Sequence, residues 1–174
     1  MSMNRRNLET LLLTLESTPA LVAQAAAQLD ASQVRRAPAN GGFSLIEHVW
    51  HLADLESEGY EVRIRRILSE EEPPLADFKG ERVARERCYR DRDLAEGLAV
   101  FTAARNRNVT KLRGIGNSDW KRRGAQEGFG SIALEDIPRM MAEHDRCHTA
   151  EIALLLAHLE NGRPFPERTV SAVA

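Results

Sequence analysis

Apolar positions recur along this chain at intervals of three and four, the spacing of helices that turn one face to a core. In residues 4–29, Leu8, Leu11, Leu12 and Leu15 share one face, and Leu21, Val22, Ala25 and Leu29 form a second run. Thr18 before Pro19 reads as a cap followed by a first-turn proline, which predicts a break or kink between the two runs. Ser44 and Glu47 have the spacing of a capping box and predict a second helix from there to about Ser69, with Leu45, Val49, Leu52, Ile64 and Ile67 on its apolar side. Asp91 or Asp93 can cap a third, in which Leu94, Leu98, Phe101, Val109 and Leu112 face the core before Gly114 and Gly116 end it. The last helix starts around Ala133 or Leu134, tolerates Pro138 in its first turns, and stops at Asn161 and Gly162 ahead of Pro164.

The connections are uneven. Residues 70–92 are polar, hold Pro73, Pro74 and Gly80, and predict a long crossover with a partly helical middle. Residues 114–131 contain Gly114, Gly116, Gly124, Gly128 and Gly130, and predict a long loop placed to wall the mouth of whatever the last helix holds. No strand pattern or repeat interrupts this reading. The expected fold class is all-α, a four-helix bundle with one long crossover, formed by residues 1–174 as a single domain.

Composition narrows the class of protein. Hydrophobic residues at 43% and charged residues at 29% of 174 suit a globular chain, and a formal charge of −2 gives no basic field for nucleic acid. No stretch reaches the roughly 20 apolar residues of a membrane span, and the short run Leu11 to Leu13 after Arg5 and Arg6 does not read as a signal peptide. The two cysteines, Cys88 and Cys147, make no disulfide framework, so a reducing, cytoplasmic setting is expected.

The chemistry lies in the histidines. Ile137, Met141, His144, His148, Ile152, Leu155 and Leu159 form the buried seam of the last helix, and two of these seam positions are imidazoles one turn apart. A buried imidazole needs partners for both nitrogens, and the i, i+4 spacing supplies one by aiming two rings at the same point, as a helix presents two ligands to a metal ion. A third ligand would come from a facing helix. The second helix offers His48 and His51, about 60° apart on the wheel; periodicity leans to His48, and both stay open on pattern alone.

Phe43-Ser44-Leu45-Ile46-Glu47 followed by His51-Leu52-Ala53-Asp54, and then His144-Asp145-Arg146-Cys147-His148 with Glu151-Ile152 behind, resembles the DinB-like superfamily of metal-dependent four-helix bundles. The resemblance extends over nearly the whole chain, including Asp119-Trp120 and Gly130-Ser131. It implies that His51, His144 and His148 hold a divalent metal, zinc or nickel, and that His48 stands where relatives usually have an aliphatic core residue. Glu151 replaces a frequent Gln and Phe43 a frequent Trp. Glu151, Asp54 and Asp145 are the carboxylates that could orient a ligand ring or act as a base.

Family members are described as hydrolases or as thiol-dependent transferases and isomerases, so the resemblance implies an enzyme whose metal activates water or a low-molecular-weight thiol on a small-molecule substrate. A non-catalytic metal-binding stress-response or interaction module is the competing expectation, with a closed coordination shell and no cavity beside it. A homodimer through a helix face left apolar is the assembly such a bundle suggests. The remaining polar residues have plainer readings: Cys147 as a packing residue, His158 as a solvent-facing group at the negative helix end, and Arg105, in a stripe slot, as a snorkelling or ion-paired side chain rather than an anion clamp.

Overall fold

The computed structural model describes residues 5–39 and 41–161. Four helical segments pack as a bundle. α1 is Arg5–Ala26; α2 is Leu45–Asp54, running through a π-helical turn at Leu55–Tyr60 into α3, Glu61–Ser69. The crossover carries α4, Gly80–Glu86, and is followed by α5, Leu94–Arg113, and α6, Ile137–Asn161. Both expected caps are present: Glu47 accepts from the Ser44 backbone and hydroxyl, and Asp93 accepts from the Glu96 N–H at 2.7 Å. The stop of the last helix expected at Gly162 ahead of Pro164 lies outside the described residues.

Helix α2 docks against α5, and α1 lies against both α5 and α6. The α2–α5 approach is close because Gly97 has no side chain: a Cβ there would sit 2.9 Å from Trp50 and from Val49. Trp50 is buried, donates to the Asp93 carbonyl at 2.9 Å, and is capped by the Arg92 guanidinium 3.2 Å above its ring.

The core divides in two. Val22, Leu45, Val49, Phe101, Ile152 and Leu155 belong to one apolar cluster, and Leu12, Leu15, Ile64, Val109, Leu112 and Met141 to another. Along each bundle helix the residues between the clusters are polar and buried: Thr18 on α1, His51 and Glu56 on α2 and its π turn, Arg105 and Asn108 on α5, His144 and Asp145 on α6. The bundle thus has a polar waist between two apolar halves. Its side chains desolvate at a cost that only mutual bonding can offset, so the waist is where chemistry is to be sought.

Two expectations need correction. No break occurs at Thr18 and Pro19, because α1 runs through both. Proline leaves the carbonyl four residues back without its helical partner; that carbonyl is Leu15 O, and the buried Arg105 guanidinium donates to it at 2.8 Å. Thr18 bonds Asp145 Oδ2 at 2.7 Å instead of capping a helix. The glycine-rich stretch is also more ordered than a loop. A small sheet forms from β1 (Pro74–Leu75), β2 (Arg123–Gln126) and β3 (Gly130–Ala133), with β1 parallel and β3 antiparallel to β2. These strands are too short, and too poor in β-branched residues, to leave a period-two signal. The tip of the β2–β3 hairpin turns through Gly128 and Gly130, both with φ near +80°, and carries Phe129 outward, 53% exposed.

Candidate metal centre

Three imidazole nitrogens meet in the waist. His144 Nε2 lies 3.1 Å from His51 Nε2 and 3.1 Å from His148 Nε2. All three nitrogens lie within 4.8 Å of one another. His51 and His144 are buried and His148 is half-buried. Hydrogen bonding alone does not account for the cluster. An imidazole nitrogen offers one N–H or one lone pair, so His144 Nε2 can complete only one of its two short contacts. Two nitrogens bound tetrahedrally to one ion would stand about 3.3 Å apart, close to what is found. Burial, reinforced by the neighbouring histidines, pushes His51 and His144 well below the usual histidine range, so both are neutral and their lone pairs are available. The donor set fits a divalent metal ion.

Each ring is held differently. His148 Nδ1 lies 3.0 Å from Glu151 Oε2 and 3.0 Å from His48 Nδ1. The carboxylate is the stronger acceptor, which assigns the proton to Nδ1 and leaves Nε2 bare toward the cluster. His51 Nδ1 is buried with no hydrogen-bond partner, so packing sets that ring. Phe43 and Phe78 lie 5.5 Å and 5.9 Å from it, centroid to centroid, and Gly80 closes the remaining side. A Cβ on Gly80 would fall 2.4 Å from His51 Cε1 and 2.6 Å from Nδ1. The glycine is therefore required by the histidine, a role that nothing local to the crossover sequence signals.

The carboxylates sort themselves by partner. Asp54 accepts from Tyr89 Oη at 2.5 Å and Arg87 Nη1 at 2.6 Å, tying the crossover to α2. Burial and the Asp54 bond hold the Tyr89 hydroxyl protonated far above its ordinary range. Asp145 is taken by Arg105 through both oxygens, at 2.6 Å and 2.8 Å, and by Thr18. Glu56, on the π turn, lies 2.8 Å from Arg105 and accepts from Asn108 at 2.6 Å; burial pushes its carboxyl up against the pull of that guanidinium. π turns widen a helix by one residue and recur at functional sites, and here the turn sends Glu56 into the waist. Of the three carboxylates singled out in the sequence, Glu151 alone reaches the imidazoles. Arg105 is ion-paired and fully buried, which decides against the snorkelling that its stripe position also allowed. Cys147 is half-buried, its thiol raised by desolvation, and His158 is half-buried near the end of α6.

A cavity of about 320 Å³ adjoins the cluster, lined by His144 together with Leu55, Tyr60, Arg63, Phe129 and Met140. A larger hollow of about 680 Å³, against Leu68, Thr110 and Gly114, is lined by none of the histidines. Among the described residues no helix is long and apolar enough to cross a membrane.

A Bacillus licheniformis protein named "Putative metal-dependent hydrolase" is 27% identical over 150 residues, covering 86% of this chain and 85% of its own length. YfiT from Bacillus subtilis, described as a probable metal-dependent hydrolase with an unusual four-helix bundle topology, superposes with a TM-score of 0.84 at 24% identity, over 91% of this chain and 90% of that one. That likeness establishes the shared bundle fold. Residues 14–152 match the sequence model of the DinB superfamily, and the chain belongs to that superfamily.

Proposed function

We propose that the protein is a metal-dependent hydrolase of small molecules, with His51, His144 and His148 as the ligands of a zinc or nickel ion. The observation that carries this reading is the convergence of three imidazole Nε2 atoms beside a cavity. When bound, such an ion supplies a Lewis acid with its full charge, able to acidify water or a thiol. The chain's own residues do the rest. Glu151 orients the His148 ring through Nδ1, and Phe43, Phe78 and Gly80 keep the His51 ring from swinging. Glu151 is also half-exposed, so its carboxylate can pass a proton between the site and solvent. The cavity speaks against a closed, non-catalytic metal module, which needs no room beside its ligands.

Elemental analysis of the protein as purified tests the ligands. The parent should carry stoichiometric metal, and His51→Ala and His144→Ala should lose it while remaining helical. Hydrolysis of a panel of nitrophenyl esters and anilides, with and without chelator, tests the activity. Metal-free parent protein, or turnover indifferent to the chelator, would refute the proposal; turnover that requires an added small thiol would make the protein a transferase instead.

A further inference from the structure

A second buried arginine, on α3, differs in its circumstances from Arg105. Arg105 is matched by two carboxylates. Arg63, on α3, is only 5% exposed, yet forms no salt bridge among the described residues. Among the described residues its buried Nε has no hydrogen-bond partner, and Nη2 donates to the Ala76 carbonyl at a long 3.3 Å. Its guanidinium carbon lies 5.5 Å from the centre of the Tyr60 ring, and the same ring stands edge-on to His144 at 6.5 Å. Arg63, Tyr60 and His144 all line the cavity of about 320 Å³.

The other charged side chains lining that cavity have partners of their own. Asp136 is paired with Arg139, and Glu143 with Arg146. What remains is a guanidinium with no ion pair among the described residues, reached only at longer range by the charge of Asp77, which is itself paired with Lys79, in a largely apolar wall that includes Leu55, Phe129 and Met140. A buried guanidinium without a carboxylate is costly to keep, and the cost is recovered when an anion enters. The fork of N–H donors suits a planar carboxylate. The volume is at the small end of ligand sites, and the exposed Phe129 stands at the rim on a turn formed by Gly128 and Gly130.

We propose that this cavity binds small carboxylic acids with an apolar body, and that Arg63 is the residue that receives the carboxylate. The assignment rests on the metal-centre reading only in naming what lies next door: it makes the substrate an acid whose reacting bond is presented toward His144.

The test is a pair of matched probes, phenylacetate and phenylacetamide, titrated by calorimetry against the protein as purified and after chelator treatment. The acid should bind about tenfold or more tightly than the amide, the factor expected for a charge-assisted over a neutral contact. Arg63→Gln should bring the ratio to about one with amide binding unchanged, and Arg63→Lys should retain part of it. Met140→Trp, which fills the cavity without touching the charge, should abolish binding of both. An acid preference absent in the parent, unchanged in Arg63→Gln, or binding unaltered in Met140→Trp, would overturn the proposal. The chelator arm separates the two readings. A preference that survives Arg63→Gln and disappears on chelation places the carboxylate on the metal, refuting the role of Arg63 while upholding the metal centre. A preference that survives chelation and is lost in Arg63→Gln supports Arg63 whatever the metal proves to be.

Discussion

Replacing Arg105 with methionine would test whether the polar waist holds the bundle together as the geometry indicates. The arginine, 1% exposed, donates to both oxygens of Asp145 at 2.6 and 2.8 Å, to the Leu15 carbonyl at 2.8 Å, and lies 2.8 Å from Glu56. It therefore joins α1, the π turn and α6 through α5. Methionine fills much of the same volume, so little of the effect comes from a cavity; it comes from two carboxylates and one carbonyl left buried without their cation. Removing one partner of a buried ion pair costs about 3–5 kcal/mol, and with a carbonyl also orphaned the upper half of that range is expected. That would consume a large share of the roughly 5–15 kcal/mol that a domain of this kind possesses. The assay is urea unfolding followed by circular dichroism on chelator-treated protein, so that metal binding does not contribute. The sign of the pH dependence is a second constraint. Burial already raises the Glu56 carboxyl against the pull of Arg105, and without the guanidinium it stands further above its unfolded value. The folded variant then holds a proton that the unfolded chain has released, and its deficit against the parent should shrink as pH falls toward the ordinary glutamate range. A penalty under about 1 kcal/mol, or one indifferent to pH, would refute the view that Arg105 is the tie.

Three further outcomes follow from the metal site. Gly80→Ala should push the His51 ring aside, since the new Cβ would fall 2.4 Å from Cε1, and should weaken zinc binding by about 10–100-fold with all ligands intact; an unchanged affinity in a competitive-chelator titration would show that the ring tolerates the contact. Glu151→Ala should remove the acceptor at His148 Nδ1, and because that carboxylate is 51% exposed the loss should be near the low end, about tenfold; equal zinc affinity for variant and parent would count against its orienting role. Metal-free protein should be destabilised by acid: His51 and His144 titrate below their unfolded values, so the unfolded chain takes up protons that the fold refuses, and stability should fall as pH drops below about 6.5. A urea midpoint that stays constant down to about pH 5.5 would contradict the burial of those rings.

The features that the sequence determined by itself are those written within a turn or two of helix. The apolar stripes, the capping box at Ser44 and Glu47, the Asp93 cap, and the pairing of His144 with His148 on one face all depend on residues three or four apart, so spacing alone reveals them. Arg105 interrupts an apolar stripe, which marks it as a snorkelling or an ion-paired side chain, and only its burial against Glu56 and Asp145 decides for the ion pair. What tertiary structure decided involves partners far apart in the chain. The second helix presents two imidazoles, and periodicity leaves both open; the angle at which α2 meets α6 sends His51 Nε2 to His144, 93 positions away, and leaves His48 at the outer nitrogen of His148. Pro19 is a helix breaker by every local rule, yet α1 continues because a guanidinium from α5 takes the carbonyl that proline leaves free. Gly80 and Arg63 carry no local mark at all. One matters because an aromatic side chain from another helix occupies the space a methyl would fill, and the other because the charges around it find partners elsewhere. Periodicity reports which face of an element is buried; which groups meet there depends on how the elements pack, and no single stretch of sequence contains that information.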